Sequence, residues 1–359
     1  MIATSIPDIS TTTLATNSPD ILDYALSHGF GNLHLKVDKQ TGMQAIIAIH
    51  NTHRGPALGG CRFIEYANCT AAMLDAMRLA RGMSYKAALA NLPLGGGKAV
   101  IIKPSQEFDR KAYFSCFGRF VHQLNGQYIT ALDSGTELTD MDVIHQHTPF
   151  VASLTRYNGD PAPFTAQGVF VGIKAAIAYK LQRRSLKGLH VAIQGLGHVG
   201  LLVARFLHQE GAILTVADID TLKAQQVADE LGATLVATDE IHKVPCEVFS
   251  PCALGAVLND DTLKELQTSI IAGAANNQLA HSYHGQILHD NNILYAPDYV
   301  INAGGLIFAA SKYLNIPAAE VTQKIEYIGQ ALTDIFKHSQ QQNLPTNLIA
   351  DNLAQAKLA

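Results

Sequence analysis

The sequence predicts an α/β protein of two domains, the second built on a doubly wound, mainly parallel sheet. Three observations carry that prediction. After residue 165 short apolar strands alternate strictly with helical patterns or short loops. The apolar strand His190–Gln194 runs directly into Gly195-Leu196-Gly197-His198-Val199-Gly200 and then into a helix. The turn-rich stretch Gly159-Asp160-Pro161-Ala162-Pro163 breaks the chain just before this regime begins. With 359 residues the chain is long enough for two cores. They divide into an N-terminal α/β substrate-binding and catalytic domain over 1–150 and a Rossmann dinucleotide-binding domain over 151–337. A C-terminal helix over 338–359 is expected to pack back on the first domain.

In the first domain Leu33, Leu35 and Val37 alternate as a strand, 38–42 form a turn, and Ala45–His50 form a second strand. Residues 71–92 are helical, with Met73, Leu74, Met77, Leu79 and Ala80 on one broad apolar face. A strand over 99–102, a helix over 110–124, a strand over 128–131 and a short helix over 140–146 follow. The second domain starts with a helix over 165–180. Its strands fall at 190–194, 213–217, 234–237, 248–251, 270–272 and 293–296, and helices at 318–338 and 347–357 close the chain.

Composition narrows the function classes. Hydrophobic residues make up 48% and charged residues 16%, as in ordinary globular proteins, and the net charge of -4 gives no reason to expect a nucleic acid or an anionic membrane as partner. The short cluster Arg183-Arg184-Ser185-Leu186-Lys187 reads as a solvated helix end. No apolar run approaches the length of a membrane span. Met1–Ser18, rich in Ser and Thr, reads as a loose tail rather than a signal peptide. Cys61, Cys69, Cys116, Cys246 and Cys252 are odd in number and lack CxxC spacing, which points to reduced thiols in the cytoplasm. The pairs His145/His147 and His281/His284 have ligand-like spacing but no third ligand at hand, so no metal is expected.

The glycine string gains meaning from its setting between strand and helix. Gly195 permits the tight turn, Gly197 lets backbone approach a pyrophosphate, and Gly200 lets the helix pack on the strand. The following helix start, with Leu196, His198 and Val199, offers amides and a positive dipole end to phosphates. The next strand ends in Asp218, placed to accept hydrogen bonds from the adenosine ribose. A carboxylate there repels a 2′-phosphate, and no arginine adjoins it. NAD is therefore favoured over NADP.

Arg81-Gly82-Met83-Ser84-Tyr85-Lys86 ends one helix, and Pro93-Leu94-Gly95-Gly96-Gly97-Lys98 follows closely. The second string is not a phosphate-binding Walker motif, because Ala99 follows the lysine and the leading glycine is missing. Its glycines could instead let backbone close around a small substrate and hold Lys98 in a partly dry pocket. Desolvation and the second cation Lys86 would then lower the Lys98 pKa and suit it to general-base work.

These strings, with Gly55-Pro56-Ala57-Leu58-Gly59-Gly60, Asp133-Ser134-Gly135-Thr136, Pro161–Val169, Pro251–Ala256, Ala275–Leu279 and Ala296–Gly305, resemble the glutamate/leucine/phenylalanine/valine dehydrogenase family in order. The resemblance implies NAD-dependent oxidative deamination of an L-amino acid to a 2-oxo acid and ammonia by a homo-oligomer, commonly an octamer in leucine members. It implies that Lys86, beside Gly59 and Gly60, binds the substrate α-carboxylate, that Lys98 activates water, and that Asp133 exchanges a proton with the amino group. By the same resemblance Thr165 holds the nicotinamide carboxamide, Asn276 and Asn302 position nicotinamide and substrate, and Cys252 and Ala253 adjoin the cofactor.

Where glutamate-specific members carry a lysine for the side-chain carboxylate, this chain has Leu58, and burying an unpaired carboxylate costs several kcal/mol. The pocket wall resembles Leu58, Met83, Ala131, Leu306 and Ala309. Aromatic-specific members tend to have glycine at the Ala131 position, so a branched-chain substrate, leucine foremost, is favoured over phenylalanine or a broad specificity. Leu132 and Phe308-Ala309-Ala310-Ser311-Lys312 depart from the family's usual polar residues. The competing reading from another class is a catalytically silent dinucleotide-binding regulatory protein; Lys86, Lys98 and Asp133 together argue against it.

Overall fold

The structure, a computed structural model, describes residues 20–157, 160–253 and 255–359. The Met1–Ser18 tail, and Asn158 and Gly159 in the expected turn, lie outside them.

The first domain is a five-stranded sheet in the order β1 (Asn32–Val37), β2 (Gln44–Asn51), β4 (Gly95–Ile102), β3 (Ala57–Ile64), β5 (Tyr128–Ala131). The β1–β2 and β2–β4 pairs are antiparallel, whereas β3 runs parallel to both β4 and β5. Helix α1 (Ile21–Ser27) and the long α2 (Cys69–Leu89) cover one face, α3 (Arg110–Gln123) and α4 (Leu138–His145) the other. Strand period two sorts the side chains. Ile46, Ala48 and Val100 meet Met77 and Ala80 of α2, while Ile47, Ala99 and Ile101 meet Phe114 and Phe117 of α3. Asn68 starts α2 by accepting the Ala71 amide at 2.8 Å.

The second sheet is wholly parallel: β8 (Thr234–Leu235), β7 (Ile213–Ala217), β6 (His190–Gln194), β9 (Cys246–Pro251), β10 (Thr268–Ile271), β11 (Leu294–Tyr295). Its helices are α5 (Ala162–Lys180), α6 (His198–Gln209), α7 (Thr221–Leu231), α8 (Thr262–Glu265), α9 (His284–Asp290), α10 (Asp298–Ile301), α11 (Gly304–Leu314), α12 (Ala318–Gln342) and α13 (Thr346–Leu358). Strand order reverses between β6 and β9, which opens a crevice at the carboxyl ends of those strands.

Several elements differ from the sequence expectation. No element is expected over 51–70, where the glycines Gly59 and Gly60 interrupt any apolar alternation; in the structure they sit inside the buried strand β3, flanked on both sides. Likewise Gly304 and Gly305 open α11, a helix that the sequence reading did not place. The triple glycine belongs to β4, extending it four residues earlier than the apolar run suggested. Helix α5 starts at Ala162 rather than 165, because the Asp160 carboxylate accepts the Ala162 amide at 2.8 Å. The boundary at 337/338 falls within α12, which continues to Gln342; Asn343 in the left-handed conformation and Pro345 end it. The element lying against the first domain is α13. Its Leu358 carbonyl accepts from Asn51 Nδ2 at 3.3 Å and faces His53 Nδ1 at 3.0 Å, and Gln355 donates to Tyr85 Oη at 2.8 Å.

Candidate active site

Three neighbouring strand ends and one helix build the charged half of the site. Lys98 projects from β4 on the face turned to α2, with only 6% of its surface exposed. Asp133 follows the end of β5, and its Oδ2 makes a direct ion pair with Lys98 Nζ. Such closeness requires β3 to lack side chains here. A Cβ at Gly60 would lie 2.7 Å from Asp133 Oδ2, and one at Gly59 would collide with the Gly97 carbonyl. The Tyr128 hydroxyl donates to the Gly59 carbonyl at 2.6 Å and holds the strand in place.

The expectation that the triple glycine closes around substrate is corrected by what surrounds it. A Cβ at Gly95 would strike the Asn51 carbonyl, one at Gly96 the Ser84 backbone, and one at Gly97 the Tyr128 ring. The three are buried packing positions that bring β4 against α2 and β2. They serve Lys98 by bringing those elements close.

Burial lowers the Lys98 pKa to about 7, helped by the Arg62 guanidinium and Lys86. Lys86, at the end of α2, is lowered to about 8 by burial, which the carboxylate of Asp298 in the second domain partly opposes. Asp298 accepts the Gln278 amide at 2.8 Å, and burial raises its own pKa. Neither Arg62 nor Asp298 was singled out from the sequence. Arg62 stands two residues beyond Gly60 in a string read for its glycines, and Asp298 opens a four-residue helix too short for a periodic signal.

Leu58, Ala131 and Leu306 are buried in one apolar cluster that spans both domains, with Met83 packed against it; Ala309 is half-buried on α11. Leu58 pairs with Gly96 and Ile129, and Ala131 lies beside Gly60 in register. The departing residues are placed as well. Leu132 is 39% exposed beside Asp133, and Phe308 stacks on Phe164 at 4.5 Å with Lys312 Nζ 5.2 Å from its ring.

The second half of the site lies at the crevice between β6 and β9. Gly195 has φ +94°, and a Cβ there would come within 2.8 Å of the Ala253 amide nitrogen. At Gly200 a Cβ would collide with the Gly195 carbonyl, whereas Gly197 faces open space. His198 and Val199 form the first turn of α6, whose amides point into that space with no helical acceptor. Leu196 does not join them: its side chain is buried, and its amide donates to Asp218 Oδ2 at 2.5 Å. That bond, with the Asp220 amide on Oδ1 at 2.9 Å, fixes the Asp218 carboxylate beside the glycine turn. The Cys252 amide donates to the Gln194 carbonyl at 2.7 Å and ties the β9 exit to the β6 exit.

Asn302 Nδ2 donates to the Ala274 carbonyl at 3.0 Å and to Asn276 Oδ1 at 2.8 Å. Its Oδ1 is buried and has no hydrogen-bond partner, a costly state that a bound amide would relieve. Nearby, Thr165 Oγ1 lies where a Cβ on Gly305 would reach it at 2.8 Å. Glycine cradle, anchored carboxylate and orphaned acceptor fit a nicotinamide dinucleotide. Of the two histidine pairs, the second is engaged within its own domain: His284 Nε2 faces Asp260 Oδ1 at 3.1 Å, and His281 stacks on Tyr283. Among the described residues no three His, Cys, Asp or Glu side chains converge as a metal set.

A dinucleotide-binding sheet facing a dry lysine–aspartate pair defines an amino-acid dehydrogenase. The family models agree. Residues 30–150 match "Glu/Leu/Phe/Val dehydrogenase, dimerisation domain", and residues 160–226 and 217–358 match "Glutamate/Leucine/Phenylalanine/Valine dehydrogenase". The chain belongs to that family. It is 44% identical over 342 residues to leucine dehydrogenase of Bacillus subtilis (strain 168), covering 94% of each chain. It is 45% identical over 322 residues to L-tryptophan dehydrogenase of Nostoc punctiforme, covering 89% of this chain and 91% of the relative. The crystal structure of L-tryptophan dehydrogenase from Nostoc punctiforme superposes with a TM-score of 0.86 at 42% identity, over 94% of this chain and 98% of that one.

Proposed function

We propose that the protein catalyses the reversible, NAD-dependent oxidative deamination of a branched-chain L-amino acid, leucine foremost, and works in the cytoplasm as a homo-oligomer. The observation that carries this reading is the buried Lys98–Asp133 pair set beside the apolar Leu58 and Ala131. In this reading Lys86 holds the substrate α-carboxylate, and its counter-ion Asp298 is too far for a direct salt bridge, which leaves the ammonium free to take a ligand anion. Gly59 and Gly60 supply backbone without side-chain obstruction.

The substrate ammonium displaces Lys98 from Asp133, and the aspartate accepts its proton. NAD, when bound, accepts the hydride leaving the α-carbon. Thr165 would hold the nicotinamide carboxamide, and Asn276 and Asn302 would position nicotinamide and substrate, with water excluded from between them. Neutral Lys98 then takes a proton from the water that attacks the iminium carbon. In the collapse of the carbinolamine Asp133 returns its proton to nitrogen, and as the carbonyl forms the hydroxyl proton passes to the departing ammonia, which leaves as ammonium beside the 2-oxo acid; Lys98 then gives its proton to solvent. NAD over NADP is supported by the anchored Asp218 carboxylate, which would face a 2′-phosphate with no cation beside it.

The test is NADH formation from leucine, isoleucine, valine, phenylalanine and tryptophan, with NADP in parallel. We expect leucine to give the highest kcat/KM, and Lys98→Ala to lower it by about 10³-fold. Equal turnover in Lys98→Ala would overturn the assignment of the base. An aromatic substrate is the second reading, favoured by the identity to L-tryptophan dehydrogenase; a leading phenylalanine or tryptophan rate selects it.

A further inference from the structure

Lys98 poses a difficulty for base chemistry. A lysine in direct contact with one buried carboxylate is held charged, because the ion pair would lose its attraction on deprotonation. Something must weaken the hold of Asp133, and Arg62 is placed to do so. It lies on β3, one inward-facing step beyond Gly60, with 22% of its side chain exposed. Its Nη1 donates to Asp75 Oδ2 at 2.8 Å, and that carboxylate is further fixed by the Tyr66 hydroxyl at 2.7 Å and by Arg78 Nη2 at 3.1 Å. The guanidinium is thus clamped at one end. At the other end Nε is buried without a hydrogen-bond partner, and Asp133 Oδ1 stands 3.7 Å away. Lys98 occupies Oδ2 of the same carboxylate.

We propose that Arg62 is a positioning residue for the reaction: fixed by Asp75, it shares the Asp133 carboxylate with Lys98 and so frees Lys98 to lose its proton. Two carboxylates, Asp133 and Asp75, face three cations, Lys98, Arg62 and Arg78, so the cluster carries excess positive charge, which the loss of the lysine proton relieves. The guanidinium, with by far the higher proton affinity, stays charged throughout. The orphaned Nε also gives Asp133 a second resting place. A small rotation of its carboxylate completes an Nε–H···Oδ1 bond when the substrate ammonium arrives. Other charged and titratable groups facing Lys98 do not replace Arg62. Lys86 and Asp75 both approach from α2 with opposing effects, and the Cys61 thiol on β3 is kept protonated by burial. Burial lowers the Lys98 pKa most, and Arg62 comes next in lowering it.

This inference rests on Lys98 being the base, and its test separates the two. The pH dependence of kcat/KM for oxidative deamination is measured in wild type, Arg62→Met, Arg62→Lys and Lys98→Ala, with NAD binding by fluorescence titration as a check on folding. Removing a nearby positive charge raises the pKa of Lys98, so the acid limb in Arg62→Met moves up by about 1 pH unit. Arg62→Lys, which keeps the charge, restores the limb to near its wild-type position. NAD affinity stays unchanged in both. An acid limb that is the same in wild type and Arg62→Met overturns the proposal, as does an equal shift in Arg62→Lys and Arg62→Met. Should Arg62→Met fail to bind NAD, Arg62→Gln reads the same limb. Full activity in Lys98→Ala would instead sink the base assignment, whatever Arg62 does.

Discussion

The two halves of the site are built on opposite plans. In the first domain the charged groups lean on one another: Lys98, Asp133, Arg62, Asp75 and Tyr66 form a chain of ion pairs and hydrogen bonds in which Arg62 Nε alone lacks a hydrogen bond, enclosed by glycines that leave no room for a methyl group. In the second domain the groups stand apart. Gly197 faces open space, the first amides of α6 have no helical acceptor, and Asn302 Oδ1 is an orphan. The difference teaches where each half gets its order. The charged half is preorganised by its own electrostatics, whereas the crevice is completed by what it binds. Changes to the first should therefore act on kcat and pH dependence, and changes to the second on cofactor affinity.

Gly60→Ala is the harshest test of the first half. A methyl group 2.7 Å from Asp133 Oδ2 must push the carboxylate aside. Since a misplacement of about 1 Å costs on the order of 10²-fold, kcat should fall by about that factor with NAD affinity intact. A comparable loss of NAD affinity would show that the halves are not separable. The pH profile is the next largest effect. Lys98 must be neutral to accept a proton, so with its pKa near 7 activity is full above that value. Below it kcat/KM should drop about tenfold per pH unit. A profile flat from pH 8 to 5.5 would remove Lys98 from the rate equation.

Asp218→Asn probes the crevice. The amide oxygen can still accept the Leu196 amide, so the glycine turn keeps its anchor while the charge is lost. We expect KM for NAD to rise about tenfold with kcat little changed, and the discrimination against NADP to narrow. An unchanged NAD/NADP ratio would break the link between that carboxylate and cofactor choice. The smallest effect is expected of Ala131→Gly, which removes one methyl group from the pocket wall. It should shift the phenylalanine-to-leucine ratio of kcat/KM toward phenylalanine by about tenfold. No shift would place substrate selection elsewhere, with the exposed Leu132 the next position to vary.

The open half was far more legible in the sequence than the closed half. A glycine turn between strand and helix, followed by Asp218, is a local pattern, because one βαβ unit makes the whole cradle. The strictly parallel sheet follows from the same regularity. The closed half draws on four elements brought together only by folding. Lys98 and Lys86 stood out from the glycine string as a candidate base and a second cation, but the substrate role of Lys86, and Asp133 altogether, came from resemblance to a family. The glycines that let the elements close carry no apolar side chains to show strand alternation, which hid β3 altogether, although both its neighbours and its burial mark it as central. Arg62 and Asp75 are thirteen positions apart and meet because α2 folds over β3. Asp298 faces Lys86 across the domain boundary. No periodicity in one chain announces such meetings, since they follow from tertiary packing alone.

The return of α13 alters the mechanics of the whole molecule. A single connection between the two sheets would leave the second free to swing, twist or slide. With Leu358 fastened to Asn51 and His53, and Tyr299 donating to Asp351 at 2.6 Å, the two bodies are joined at a second point. A plate held at two points turns about the line between them and little else. Any opening of the crevice would then be a door-like rotation about that line, carrying Asn302 toward or away from Lys86 along a single arc.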